Sequence, residues 1–189
     1  MAWNSDDMWK LFRLAMWAGA AVLLLLPAVA MQFTSEVQWG AEDFIAIGVM
    51  LLLACGSIEN ALRASADSAY RLGAIVAVAA AFLLLWVNLA VGIIGSEDNP
   101  ANLLYLLVLG ALIGGWSAGS GDARRMSRGL FATAAMQALI GTLAFAGQWA
   151  AQEPPGHGGI LAINLFFVAL WCGSALLFLR ARRAHIATA

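Results

Sequence analysis

The segment Ser96-Glu97-Asp98-Asn99-Pro100-Ala101-Asn102 gathers two carboxylates and two side-chain amides within seven residues. These are the oxygen ligands a hard cation takes. Glu42, Asp43 and Glu153 lie in other polar gaps of the chain and could join them. The spacing departs from the DxDxDG of a calcium loop, and the same residues also suit a capped, solvated turn. A transition metal would want several His or Cys ligands. Only His157, in the turn Pro154-Pro155-Gly156-His157-Gly158-Gly159, is at hand there.

A second polar set lies inside the apolar runs. Asn88, Gly92 and Gly95 fall on one face of the third run. Gly110 and Gly114 stand at GxxxG spacing in the fourth, with Ser117 one turn on. Thr133, Gln137 and Gly141 recur every four residues in the fifth, followed by Gln148, and the sixth carries Asn164. Small residues let helix backbones approach, and amides bond between helices. Two readings follow: an interhelical seam through helices three to six, or a polar path opening to the acidic side.

Other chemistry is missing from the sequence. There is no HExxH, GxSxG or P-loop, and no nucleophile has a base beside it at a readable spacing. No Lys, Arg or Asp sits at the centre of a run, which argues against voltage sensing or a strongly ionic proton relay. No His lies in a run, so haem held by two histidines within the bilayer is excluded. Glu59, with Arg63 four residues on, is the one candidate intramembrane acid. Cys55 and Cys172 both lie in apolar runs without a CxxC pattern, and read as small buried hydrophobes.

The elements that must position these residues follow from composition. The 189 residues are 62% apolar and 11% charged, with mean hydropathy +0.83, whereas soluble domains carry roughly 25% charged residues. About 20 apolar residues cross the roughly 30 Å of hydrocarbon as helix, and these runs lack strand alternation. The chain therefore reads as an all-α bundle of six transmembrane helices over residues 9–33, 42–62, 69–94, 102–118, 127–150 and 160–180, forming a single multi-pass domain. A cleaved signal peptide ending at Ala28-Val29-Ala30 is the alternative for the first run. No convincing similarity links the first three helices to the last three.

Charge sets the orientation. Lys10 and Arg13 precede the first run, Arg63 and Arg71 follow the second, Arg124, Arg125 and Arg128 follow the fourth, and Arg180, Arg182 and Arg183 follow the sixth. The intervening gaps hold Glu36, Glu42, Asp43, Glu97, Asp98 and Glu153 with no Lys or Arg. This is the positive-inside pattern, with both termini cytoplasmic.

Local signals agree. Asn99-Pro100 reads as a helix cap with a first-turn proline. Glu42 and Asp43 suit the positive end of the second helix. Glu59 with Arg63 and Asp67 with Arg71 can pair four apart. Trp9, Trp39, Trp116 and Trp149 fall near run ends as an aromatic belt would, and Trp17, Trp86 and Trp171 lie deeper, where packing is expected.

The stretches Val29-Ala30-Met31-Gln32-Phe33-Thr34 with Glu36-Val37 and Trp39, Trp86-Val87-Asn88 through Ala90-Val91-Gly92-Ile93-Ile94-Gly95 to Glu97 and Asn99, and Ala132-Thr133-Ala134 with Gln137-Ala138-Leu139 carry a resemblance. From about Leu23 to Phe178 the chain resembles a group of small bacterial multi-pass inner-membrane proteins that carries no assigned activity. The resemblance implies a bacterial cytoplasmic membrane and transfers no functional residue.

The expected protein is thus non-enzymatic. Its surroundings are the lipid bilayer, with a homo-oligomer or a membrane-protein partner and no nucleic acid or cofactor. Its candidate site is Glu97, Asp98, Asn99 and Asn102, with Asn88 and Gln137 beneath. Transport of a cation or small polar solute competes with a role as an accessory or assembly subunit, and an integral-membrane enzyme ranks third.

Overall fold

The computed structural model describes residues 5–119, 122–149 and 153–187. Six α-helices follow one another: α1 Ser5–Ala30, α2 Ala41–Ala64, α3 Ser68–Ala90, α4 Tyr105–Gly119, α5 Ala123–Ala146 and α6 Gly156–Ala187. A 3₁₀ turn, Pro100–Leu104, leads into α4. There is no strand among the described residues. All six helices, α4 together with its 3₁₀ turn, are long and apolar enough to cross a membrane.

Side-chain caps explain three of the starts. Asp67 Oδ1 accepts from Tyr70 N at 2.9 Å and opens α3. Asp122 Oδ1 accepts from Arg124 N at 2.8 Å and opens α5. Asn99 Oδ1 accepts from Ala101 N at 3.0 Å with Pro100 following, the cap expected from the sequence. Glu42 and Asp43 fall in the first turn of α2, also as expected.

Three helices end earlier than the sequence expectation, whereas the sixth runs on past residue 180 to Ala187. The first helix stops at Ala30 rather than at residue 33, where short-range bonds from Gln32 N to Val29 O and from Phe33 N to Ala30 O tighten the chain into a turn. The third ends at Ala90 rather than at residue 94, so Gly92 and Gly95 leave the face they were expected to share with Asn88 and take positive φ, 73° and 69°. The fifth ends at Ala146 rather than at residue 150, and Gln148, at φ 53°, turns out into an exposed position.

By internal contact the chain forms two compact units, Met1–Asn60 and Ala61–Ala189. In the first, Arg13 on α1 donates through Nε to Glu59 Oε2 on α2 at 2.8 Å, and its Nη2 reaches Oε1 of the same carboxylate. Glu59 thus has a partner on another helix, besides the neighbour four residues on that sequence spacing suggests. Ile47, Leu51, Cys55 and Ile58 are buried at helical spacing along α2. Most of α1 is exposed, including Leu14, Val22 and Leu25. In water such surface would be unfavourable; in lipid it is solvated.

In the second unit α5 packs against both α4 and α6, and α6 packs against α3. Residue pairings make these neighbours antiparallel. Tyr70 at the start of α3 meets Phe178 late in α6 edge to face, with ring centroids 4.9 Å apart, and Ser174 Oγ donates to Gly73 O at 2.7 Å. Ala74, Ala77, Ala80 and Leu84 form the buried stripe of α3. Trp171, at 0% exposure, packs as expected, whereas Trp17 is 41% exposed rather than packed. Leu106, Leu107 and Ile113 leave the outward face of α4 apolar and exposed. Arg71 donates to Ser65 O at 2.7 Å and Leu62 O at 3.1 Å, satisfying carbonyls at the end of α2.

Candidate functional site

Two clusters of hydrogen-bonded polar side chains lie toward the end of the second unit where α3 and α5 finish and α4 and α6 begin.

The first is the turn between α3 and α4. Val91 N and Gly92 N both donate to Val87 O at 3.1 Å, closing α3. The left-handed φ of Gly92 then reverses the chain. A Cβ there would lie 2.5 Å from Ser96 O, so only glycine fits. Ile93 and Ile94, both fully buried, donate their N–H groups to Asn102 Oδ1 at 3.0 and 2.9 Å. Asn102 Nδ2 donates to Ser96 O at 2.8 Å, and Asn88 Nδ2 donates to Asn102 O at 3.0 Å. Glu153 Oε2 accepts from Ser96 N at 3.3 Å, tying the α5–α6 connection to the same turn.

These bonds decide what the turn can do. Asn102 is 4% exposed and its side-chain oxygen Oδ1 already accepts two N–H groups, so it organises backbone. Asn99 is used as a cap. Glu97 and Asp98 stand exposed on the outside of the turn. Among the described residues no three His, Cys, Asp or Glu side chains come together as a metal site. His157 sits in the first turn of α6 rather than in a loop, edge-on to Phe145 with ring centroids 5.6 Å apart. Cys55 is buried and Cys172 half-buried, and both are free thiols.

The second cluster lies within the bundle and joins three helices. Gln137 Nε2 on α5 donates to Asn164 Oδ1 on α6 at 2.8 Å. Tyr105 Oη on α4 stands 3.1 Å from Asn164 Oδ1, to which it can donate, and accepts from Asn164 Nδ2 at 2.9 Å. Asn164 Nδ2 also donates to Ile160 O at 2.8 Å. Tyr105 and Gln137 are 0% exposed and Asn164 is 3%. Gln137 Oε1 has no hydrogen-bond partner. Of the residues the sequence singled out, Gln137 and Asn164 therefore meet directly, while Asn88 joins Asn102 instead. Asn88 Oδ1 is likewise buried without a partner.

Glycines make these approaches feasible. A Cβ on Gly141 would lie 2.6 Å from Asn164 Cγ. One on Gly115 would lie 2.7 Å from Gly129 Cα, where the backbones of α4 and α5 touch. The GxxxG glycines Gly110 and Gly114 meet nothing within 4 Å and are exposed, so the close contact of α4 falls one residue away from the expected pair.

Tyr105, Gly115 and Gly129 escaped sequence reasoning. A tyrosine at a span end reads as interfacial, and neighbouring glycines look alike until the facing helix is known. A weak signal for Tyr105 existed, because a phenol placed inside a bundle needs a partner and the amides of the fifth and sixth runs supply one. Comparison with family models, with curated proteins and with solved structures returns no match.

Proposed function

We propose that this is a protein of a bacterial cytoplasmic membrane, both termini cytoplasmic, that passes a small hydrogen-bond-donating solute or cation through its four-helix unit. The orientation rests on the segregation of Lys and Arg into alternate gaps. The route rests on one observation: Gln137 Oε1, at 0% exposure among three helices, has no donor from the protein. An unmet buried carbonyl costs about 1–3 kcal/mol, and its persistence fits a group that meets a passing donor. The exposed carboxylates Glu97 and Asp98 lie at the same end and would attract a cation. The reading is non-enzymatic, because the buried cluster consists of two amides and a phenol, none of them a base near neutral pH.

Flux into liposomes loaded with unmodified protein tests this, using ammonium, alkali cations and small neutral polyols. Gln137→Leu and Asn88→Leu should abolish flux while the protein still folds. Absence of flux for every probe with the unmodified protein overturns the reading.

A second reading, an accessory subunit docked on another membrane protein, is favoured by the open face of Gly110 and Gly114. It requires a defined partner on mild detergent extraction, released by Gly110→Leu or Gly114→Leu. Recovery of a lone homogeneous species counts against it.

A further inference from the structure

Gln137 Oε1 is not alone among buried polar atoms in lacking a partner. Trp171 Nε1 on α6 is buried at 0% exposure with none. The two groups are complementary, since an indole N–H only donates and an amide oxygen only accepts.

Register brings them to the same stretch of the α5–α6 seam. The helices run antiparallel, with Gly141 against Asn164. Eight residues back along α5 is Thr133, about 12 Å away, and seven residues on along α6 is Trp171, about 10.5 Å away. Thr133 and Trp171 are therefore level to within about 2 Å, and Gln137 lies one turn from Thr133 on the same face of α5. Thr133, also 0% exposed, donates its hydroxyl proton to Gly129 O at 3.0 Å and keeps its oxygen lone pairs for another donor.

A buried water typically makes about three hydrogen bonds to groups that otherwise lack them. We propose that Trp171 Nε1, Gln137 Oε1 and Thr133 Oγ1 hold one internal water between α5 and α6. The water accepts from the indole and donates to the amide and hydroxyl oxygens. Resting on the transport reading, this names the resident molecule that an incoming donor displaces at Gln137.

The test is nuclear magnetic resonance of protein carrying ¹⁵N-tryptophan in lipid nanodiscs, with the Trp171 indole signal assigned by its loss in Trp171→Phe. The indole proton should show a cross-peak to long-lived water. That cross-peak should disappear in Gln137→Met and weaken in Thr133→Val. It should survive in Gln137→Glu, which keeps a side-chain oxygen, and in Ser127→Ala, more than one helical turn away. A missing water cross-peak in the unmodified protein overturns the proposal, as does one that persists in a folded Gln137→Met. Should Gln137→Met fail to fold, Thr133→Val and Gln137→Glu read the same contact. The readout is independent of flux, so an inactive but hydrated protein would sink transport alone, and an active protein without the water would sink this site alone.

Discussion

Asn164 reaches Gln137 and Tyr105 because Gly141, facing it across α5 and α6, has no side chain: a Cβ there would stand 2.6 Å from Asn164 Cγ and 2.9 Å from its Oδ1. A buried polar cluster that joins three helices thus depends on one missing methyl group. Gly141→Ala should push α6 away and break the bonds to both partners. Overpacking of this kind costs about 1–3 kcal/mol, to be read as a lowered melting temperature in detergent. An unchanged melt would mean the seam is looser than described.

Within the cluster, the three helices should be energetically coupled. Tyr105→Phe removes one hydroxyl and Gln137→Met one amide, and each interhelical bond in a membrane contributes about 0.6–2 kcal/mol. Because both bonds converge on Asn164 Oδ1, a double-mutant cycle should show non-additivity of at least about 0.5 kcal/mol. Strict additivity would show that Asn164 does not link them.

The glycines of α4 and α5 should divide sharply. Gly115→Leu and Gly129→Leu place a side chain where two backbones touch and should abolish folding or strongly lower stability. Gly110→Leu and Gly114→Leu, with nothing within 4 Å, should leave the melt of the isolated protein unchanged or slightly raised. The opposite order would reverse the assignment of the α4–α5 contact.

Asn102→Leu should strip Ile93 N and Ile94 N of their shared acceptor. Leaving those buried donors unpaired costs about 1–3 kcal/mol each. Hydrogen exchange at residues 92–96 should accelerate by at least tenfold while α5 and α6 stay protected. Uniform protection across the variant would contradict the role given to this amide.

Orientation can be checked without purification. Reporter fusions at Gly121 and after Ala189 should both behave as cytosolic, and a fusion at Asp98 as exported. Export at either of the first two sites would overturn the topology.

Helix existence was legible in the sequence because about 20 consecutive apolar residues leave the backbone one way to satisfy itself in lipid. The Asn99-Pro100 cap was legible because its chemistry is local. Gln137 and Asn164 were visible as amides that must find partners, although the pairing between them was not. What escaped were properties of facing surfaces. Gly114 and Gly115 have the same composition and differ by about 100° around the helix, and nothing in α4 alone tells which one faces α5. The turn cluster read both as a cation ligand set and as a capped turn, because side-chain types do not reveal that Asn102 Oδ1 spends its acceptor capacity on Ile93 and Ile94. Gly92 and Gly95 look helical by apolar context alone, and their left-handed φ emerges only with the reversal that Asn102 stabilises from below.

Gly115 and Gly129 bring α4 and α5 together by backbone contact, whereas Tyr105, at the other end of α4, is held to α6 by hydrogen bonds that water can replace. The two attachments of α4 therefore differ in kind: parting at the phenol exchanges one set of hydrogen bonds for another, whereas parting at the glycines only forfeits packing.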